Sequence, residues 1–398
     1  MIKLGSQLLS ALRDDLPLAW LQLKREPVRY LVAVTGIGFA ALLMYMQIGF
    51  QSGLLTSATT FYQNLNADLF IISQSTLNSG SYQQFPQSLL YRSLGVSGVK
   101  EATPLYIVNI RTQRLNGTKP TSLRLIGFNP EADIFNIPEI KLQIPKIKIP
   151  GYVLFDELGN KNTGPIARAV KKNGSQELIL SDFTKTYRAV GLFRMGSTFA
   201  ADSNIISSDT TVIQLASRQI NQGEISLGVI KLKSTSETMR VQRYLQKMYG
   251  KELQVLTKSQ LIEAEKNYWN SATALGIVFG FGTFMGLLVG GIVVYQVLYT
   301  DVSDHLKEYA TLKAMGFSNA FILSIVIQEA LLLATSAFIP ATLVSAGLYA
   351  FLSSATAIRI SMTPDKILLV GFMTFMVCTA SAIIAIGKLR DADPASVF

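Results

Sequence analysis

Four long apolar stretches limit what this chain can fold into. Residues 30–50 (YLVAVTGIGFAALLMYMQIGF), 271–299 and 367–386 carry no charge, and residues 320–352 carry only Glu329. At 1.5 Å per residue a helix of about 20 residues covers the ~30 Å hydrocarbon core of a bilayer. Peptide groups in lipid have no water to bond, so each stretch must be helical. Between the first and second stretches, residues 51–270 have an ordinary mixed composition. The overall charged fraction, 16%, is below the roughly 25% of a soluble domain. Residues 1–29 are hydrophilic or amphipathic. The run that follows them outlasts the h-region of a signal peptide, so it reads as an uncleaved signal-anchor.

An even number of spans leaves both termini on one side, and charge chooses the side. Lys3, Arg13, Lys24, Arg25 and Arg29 precede the first span, Lys307 and Lys313 lie between the second and third, and Lys388 and Arg390 follow the fourth. The short loop at 353–366 offers only Arg359 and Lys366. The excess of cations marks the termini as cytoplasmic and exports residues 51–270. The fold class that follows is an α-helical membrane protein with four transmembrane helices plus an α+β extracytoplasmic domain inserted between helices 1 and 2. Its segments are a cytoplasmic N-terminus at 1–29 with an amphipathic elbow helix at 16–25, the four spans, the exported domain, a cytoplasmic linker at 300–319, the short loop at 353–366 and a cytoplasmic tail at 387–398.

The exported segment holds 25 Lys and Arg against 16 Asp and Glu, a net of +9. That charge suits acidic proteins or anionic headgroups, and equally plain solubility. Its scatter, without a binding motif, argues against nucleic acid. Strand patterns occur at 68–73, 106–112, 122–128 and 225–232, with a turn at 116–120 between the second and third. Ser234 and Glu237 have capping-box spacing ahead of a helix that stops at Gly250. Residues 257–270 (TKSQLIEAEKNYWN) predict a polar stalk helix running unbroken into the second span, with Tyr268 and Trp269 as interfacial anchors.

No phosphate-binding GxxxxGK[ST] loop occurs, so any ATP-driven role needs another subunit. The one histidine, His305, lies in the linker and reads as a solvated or interface residue, which leaves neither a metal site nor a Ser-His-Asp hydrolase. The one cysteine, Cys378, excludes an intrachain disulfide. Gly276/Gly280, Gly282/Gly286 and Gly286/Gly290 are GxxxG steps that fit packing within one subunit or across a homodimer. Glu329 must face protein or water. It has no basic or histidine partner in the spans, so structural bonding is favoured over proton relay. Pro340 predicts a kink in the third span. The linker, with Val302, Leu306, Tyr309 and Met315 on one side and Gly316 as a stop, reads as a short amphipathic helix able to seat in a partner's groove.

Within that linker, Glu308-Tyr309-Ala310-Thr311-Leu312-Lys313-Ala314-Met315-Gly316 resembles the E-x-x-x-x-K-A-[ML]-G signature of MacB and FtsX type ABC permeases. The order of spans, the large insert and the terminal Asp393-Pro394-Ala395 extend the likeness along the whole chain. Gly36-Ile37-Gly38-Phe39-Ala40, Met44-Tyr45-Met46-Gln47-Ile48-Gly49-Phe50, Val190-Gly191-Leu192-Phe193 and Gly196-Ser197-Thr198-Phe199 resemble the DevC permeases of cyanobacteria.

The resemblance implies an inner-membrane permease whose insert is like the MacB periplasmic core. It implies a homodimer with a DevA-like ABC ATPase that binds the ATP and magnesium, a DevB-like membrane-fusion adaptor, a TolC-like outer-membrane channel, and export of a glycolipid or other amphipathic molecule by mechanotransmission. It assigns ATPase coupling to Glu308, Tyr309, Lys313, Ala314, Met315 and Gly316, with Tyr309 and Met315 as the apolar seat. Alternatives of the same architecture are a lipoprotein-releasing transporter and an FtsX-like regulator of a periplasmic hydrolase. A membrane enzyme is opposed by the missing catalytic constellation.

Overall fold

The computed structural model describes residues 25–112, 121–160, 163, 165–178, 187–198, 201–355 and 360–390. The elbow helix at 16–24, the turn at 116–120, Phe199 and Asp393-Pro394-Ala395 lie outside the described residues.

Helix α1 (Pro27–Gln63) continues well past the apolar run, because Ala58, Phe61 and Tyr62 recur at helical spacing and are buried. Strand β1 (Leu69–Ser73) and the two-residue β2 (Phe85–Pro86) lead to α2 (Gln87–Arg92), a 3-10 turn at Ser93–Gly95, and the long β3 (Val99–Thr112). Strand β4 (Thr121–Phe128), α3 (Pro138–Ile147), β5 (Tyr152–Asp156), α4 (Ile166–Asn173), β6 (Gln176–Leu178), β7 (Tyr187–Phe193), β8 (Ser203–Ser208) and α5 (Asp209–Leu215) follow. Then come β9 (Glu224–Ile225), β10 (Leu227–Leu232), α6 (Thr238–Tyr249), β11 (Leu253–Thr257) and α7 (Lys258–Asn267). The chain ends with α8 (Ala274–Asp304), α9 (Leu306–Ala314), α10 (Asn319–Ala355) and α11 (Pro364–Arg390).

Among the described residues, four helices are long and apolar enough to cross a membrane: α1, α8, α10 and α11. The chain divides into two compact units, one of these helices and one built on residues 52–275. The sheet unit has strand order β11-β1-β10-β3-β4-β8-β5-β7-β6. Its ladders are antiparallel except for the parallel pairs β4 with β8 and β5 with β7. Both faces of this sheet are covered. Leu69, Leu123, Leu125 and Val153 pack on one side with Val241 and Leu245 of α6, and Phe70, Ile126 and Leu154 pack on the other with Phe61 and Tyr62 of α1.

The helical unit packs through small residues. A methyl group built at Gly290 would stand 3.0 Å from Ala40 Cβ, one at Gly286 3.0 Å from Met44 Cγ, and one at Gly282 would collide with Gln47. Three of the predicted glycines thus let α8 approach α1 within the subunit. Gly276 is half-buried, and Gly280 is exposed with open space where its side chain would be.

Two local expectations are corrected. Ser234 makes no capping bond; its hydroxyl meets that of Ser236 at 2.8 Å, and Glu237 pairs with Arg240 at 2.9 Å. A 3-10 turn at Thr235–Glu237 precedes α6 instead. The capping box forms at α7, where Thr257 Oγ1 accepts from Gln260 N (3.3 Å) and Gln260 Oε1 accepts from Thr257 N (3.0 Å).

The stalk is also interrupted. After α7 a π-turn spans Tyr268–Ala272, and Thr273 is extended (φ −118°, ψ 161°) before α8 begins. Thr273 Oγ1 donates to the Trp269 carbonyl and accepts from Leu275 N at 3.3 Å, so its hydroxyl caps the new helix and ends the old one.

Removing the Thr257 cap with Thr257→Ala is expected to cost about 1 kcal/mol, and Ser234→Ala under about 0.5 kcal/mol. Unfolding of the full chain in detergent measures both. Equal losses would contradict the assignment of the cap.

Candidate functional site

The linker predicted to carry coupling folds as α9, and Gly316 ends it in the left-handed region (φ +96°). Phe317 N donates to Leu312 O at 3.1 Å and Met315 N to Thr311 O at 3.0 Å, which closes the helix end around a residue without a Cβ. Lys307, Glu308, Thr311, Met315 and Phe317 are exposed, and Met315 is 63% so. Tyr309 differs from its expected place in an apolar seat. It is 3% exposed and packs inward with Val302, Ile322 and Val326, so Met315 and Phe317 form the exposed apolar part of the segment. The side chains of Lys313 and Ala314 lie outside the described ones.

Beside α9 the helical unit gathers a polar cluster. Arg29 of α1 meets Asp304 Oδ2 at 2.5 Å, Glu26 at 2.7 Å and Asp301 Oδ1 at 3.6 Å. His305 Nδ1 lies 3.0 Å from the Asp301 carbonyl and 3.6 Å from Asp301 Oδ1. Glu329 of α10 stands next to Asp301, at 1% exposure. Glu329 therefore has neighbours that spacing alone did not reveal: Arg29 is 300 residues away in sequence, and His305 touches the same aspartate. The buried Glu329 and Asp301 carboxyls are hydrogen-bonded to each other. The cluster joins α1, α8 and α10, and α9 starts one residue after its histidine.

A second polar centre lies in the sheet unit. Glu265 of α7 is 3% exposed, and its carboxylate is bonded from three directions. Oε1 accepts from Ser79 Oγ (2.6 Å) and Trp269 Nε1 (2.8 Å); Oε2 accepts from Ser79 N (2.8 Å) and Tyr62 OH (3.4 Å). Tyr82 OH donates to Tyr62 OH at 2.6 Å. Burial and the Glu265 charge push the Tyr82 phenol above its ordinary pKa, so it remains a neutral donor.

The balancing cation is Arg124 of β4, fully buried and 5.8 Å over the Phe61 ring. Its Nη2 donates to Ser79 O at 3.2 Å and its Nε to Asn109 Oδ1 at 3.4 Å. Asn109 faces Arg124 in the β3–β4 register, and its Nδ2 donates to Gly80 O at 2.7 Å. The centre thus fastens the end of α1, the loop at 74–84 and the segment entering α8 to the sheet. Sequence reading placed Trp269 at an interface and missed this role; Glu265, an acid four residues before a tryptophan, was the available signal.

Residues 274–394 match the family model described as FtsX-like permease C-terminal. Helices α8 to α11 fall within the matched residues. No curated protein matches the chain. Among solved structures, the chain is similar to the periplasmic region of MacB from Actinobacillus actinomycetemcomitans, at 14% identity over 51% of this chain and 94% of that one, with a TM-score of 0.33. It is similar also to the extracellular domain of the noncanonic ABC-type transporter YknZ from Gram-positive bacteria, at 13% identity over 48% and 99%, with a TM-score of 0.32.

Two outcomes are expected. In a Trp20→Phe background Trp269 is the one remaining tryptophan, and Glu265→Gln shifts its emission to longer wavelength while costing about 2–3 kcal/mol of stability. Unchanged emission would sink the Glu265 centre. Arg29→Ala, which leaves Asp301, Asp304 and Glu329 without their guanidinium, lowers the thermal midpoint in detergent more than Arg29→Lys does.

Proposed function

We propose that this chain is the permease subunit of a DevC-type tripartite ABC exporter, acting as a homodimer with a separate ATPase, a membrane-fusion adaptor and an outer-membrane channel. In this reading it sits in the inner membrane with both termini cytoplasmic. The sheet unit lies in the periplasm. ATP and magnesium are held by the partner, and the cargo is a glycolipid or another amphipathic molecule.

The observation that carries the reading is α9, a short helix between two spans inside the FtsX-like permease match, ending at Gly316 with Glu308, Met315 and Phe317 exposed. A helix with an exposed apolar end and flanking charge suits a groove on a soluble partner. In this account the partner pushes on α9, the Arg29–Asp301–Glu329 cluster holds the feet of three spans together, and the motion travels up α1 and α8. The apolar composition of the spans favours relayed motion over passage of cargo between them.

The purified chain alone is expected to hydrolyse no ATP, and Glu308→Ala with Met315→Asp to reduce the copurified ATPase about tenfold, the loss of about 1.4 kcal/mol of binding. Gly316→Ala strains a left-handed position by about 1–2 kcal/mol and weakens coupling with less loss of binding. Normal export and normal ATPase retention in both variants would remove α9 from this role.

A further inference from the structure

The sheet unit presents eight large apolar side chains to solvent among its described residues, and five of them fall on two adjoining pieces of chain. Tyr91 and Leu94 come from α2 and the 3-10 turn; Met239, Tyr244 and Met248 come from the outer side of α6, with Tyr244 60% exposed. The two pieces are fastened together: Tyr249 OH donates to Leu89 O at 2.9 Å, and Arg240 Nη2 to Ser97 O at 3.4 Å. Val241, Leu245 and Tyr249 use the inner side of α6 for the core, so the outer residues are not needed for folding.

Interleaved with the apolar side chains are Arg92, Arg243 and Lys247, all exposed, and among the described residues no carboxylate lies within ion-pair distance of them. Arg240, by contrast, is satisfied by Glu237.

We infer that this α2–α6 face is the docking surface for an extracytoplasmic protein that presents carboxylates around an apolar strip. The inference rests on the exporter reading only for the compartment in which the partner is sought. Tyrosine, methionine and arginine are among the residue types enriched at protein interfaces, and among the described residues the face lacks the tryptophan and phenylalanine of a lipid-seeking helix. Three unpaired cations on a unit of net charge +9 select an acidic occupant by complementarity. A second copy of the chain would set the same cations against each other.

The test places the photocrosslinker p-benzoylphenylalanine at position 244 (Tyr244→p-benzoylphenylalanine) in the full chain in its native membrane, with Leu142 of α3 as the control position. Peptide mapping by mass spectrometry is expected to place the adduct on an acidic segment of another protein. Arg243→Glu with Lys247→Glu then lowers the yield about fivefold or more, and reversing two carboxylates of the mapped segment to lysine restores it. An adduct to lipid, to a second copy of this chain, at no more than the Leu142 level, or insensitive to charge reversal overturns the proposal. ATPase copurification on the same material keeps the readings apart. Retained ATPase with a lost adduct reports on this face, whereas a wild-type chain without ATPase reports against the exporter.

Discussion

Inside hydrocarbon a peptide group finds no partner but another peptide group, and the rest of this molecule follows from that restriction. The spans must be unbroken helices, so their only freedom is to tilt, rotate or slide as rods. Mid-span polar groups bond to one another or to backbone, as Tyr45 OH does with Thr342 Oγ1 at 2.9 Å and Ser381 Oγ with Gly291 O at 3.0 Å. Arg29, Asp301, His305 and Glu329 gather at one set of ends. The distal turn of α1, with Tyr62, meets Glu265 in the sheet unit.

Close approach of α1 and α8 has its own cause. Without a hydrophobic drive between helices in lipid, association depends on van der Waals contact, and contact depends on how near two backbones can come. Gly282, Gly286 and Gly290 present no side chain to Gln47, Met44 and Ala40, so the two helices lie against each other along a seam. The separate GxxxG step Gly276/Gly280 is two residues out of register with that series, and a side chain at Gly280 would meet nothing. Spacing identifies a strip able to pack closely; which residues use it depends on where the partner helix runs.

That distinction explains how much of the structure was legible. The spans were visible because length and charge are summed over about 20 residues, and strands such as Leu69–Ser73 because burial alternates locally or runs continuously. The polar centres were not. Glu265 is satisfied by Ser79 and Tyr62, 186 and 203 residues away, and Arg124 looks in sequence like a solvent-facing residue of an alternating strand. Only the register that sets Asn109 beside Arg124, under a loop that folds back over them, makes that guanidinium a buried group. The break before α8 was hidden for a related reason. Residues 257–273 contain neither proline nor glycine, and helix propensity favours continuity. The hydroxyl of Thr273 and the pull of Glu265 on the Trp269 indole act against it. Thr257 and Gln260 show the opposite case: a capping pair three residues apart is complete in sequence, and it outranked the similar spacing at Ser234 because Glu237 had Arg240 to bind.

The interruption at Thr273 has mechanical content. A π-turn followed by an extended residue cannot carry bending moment through its backbone, because the axial hydrogen-bond ladder is broken at that point. Within the sheet unit, Trp269 in the turn is tied to Glu265 one helical turn earlier, and Glu265 is tied to Ser79 and to Tyr62 at the end of α1. These hydrogen bonds converge on one buried carboxylate within the sheet unit, and their worth rises as water is excluded from them.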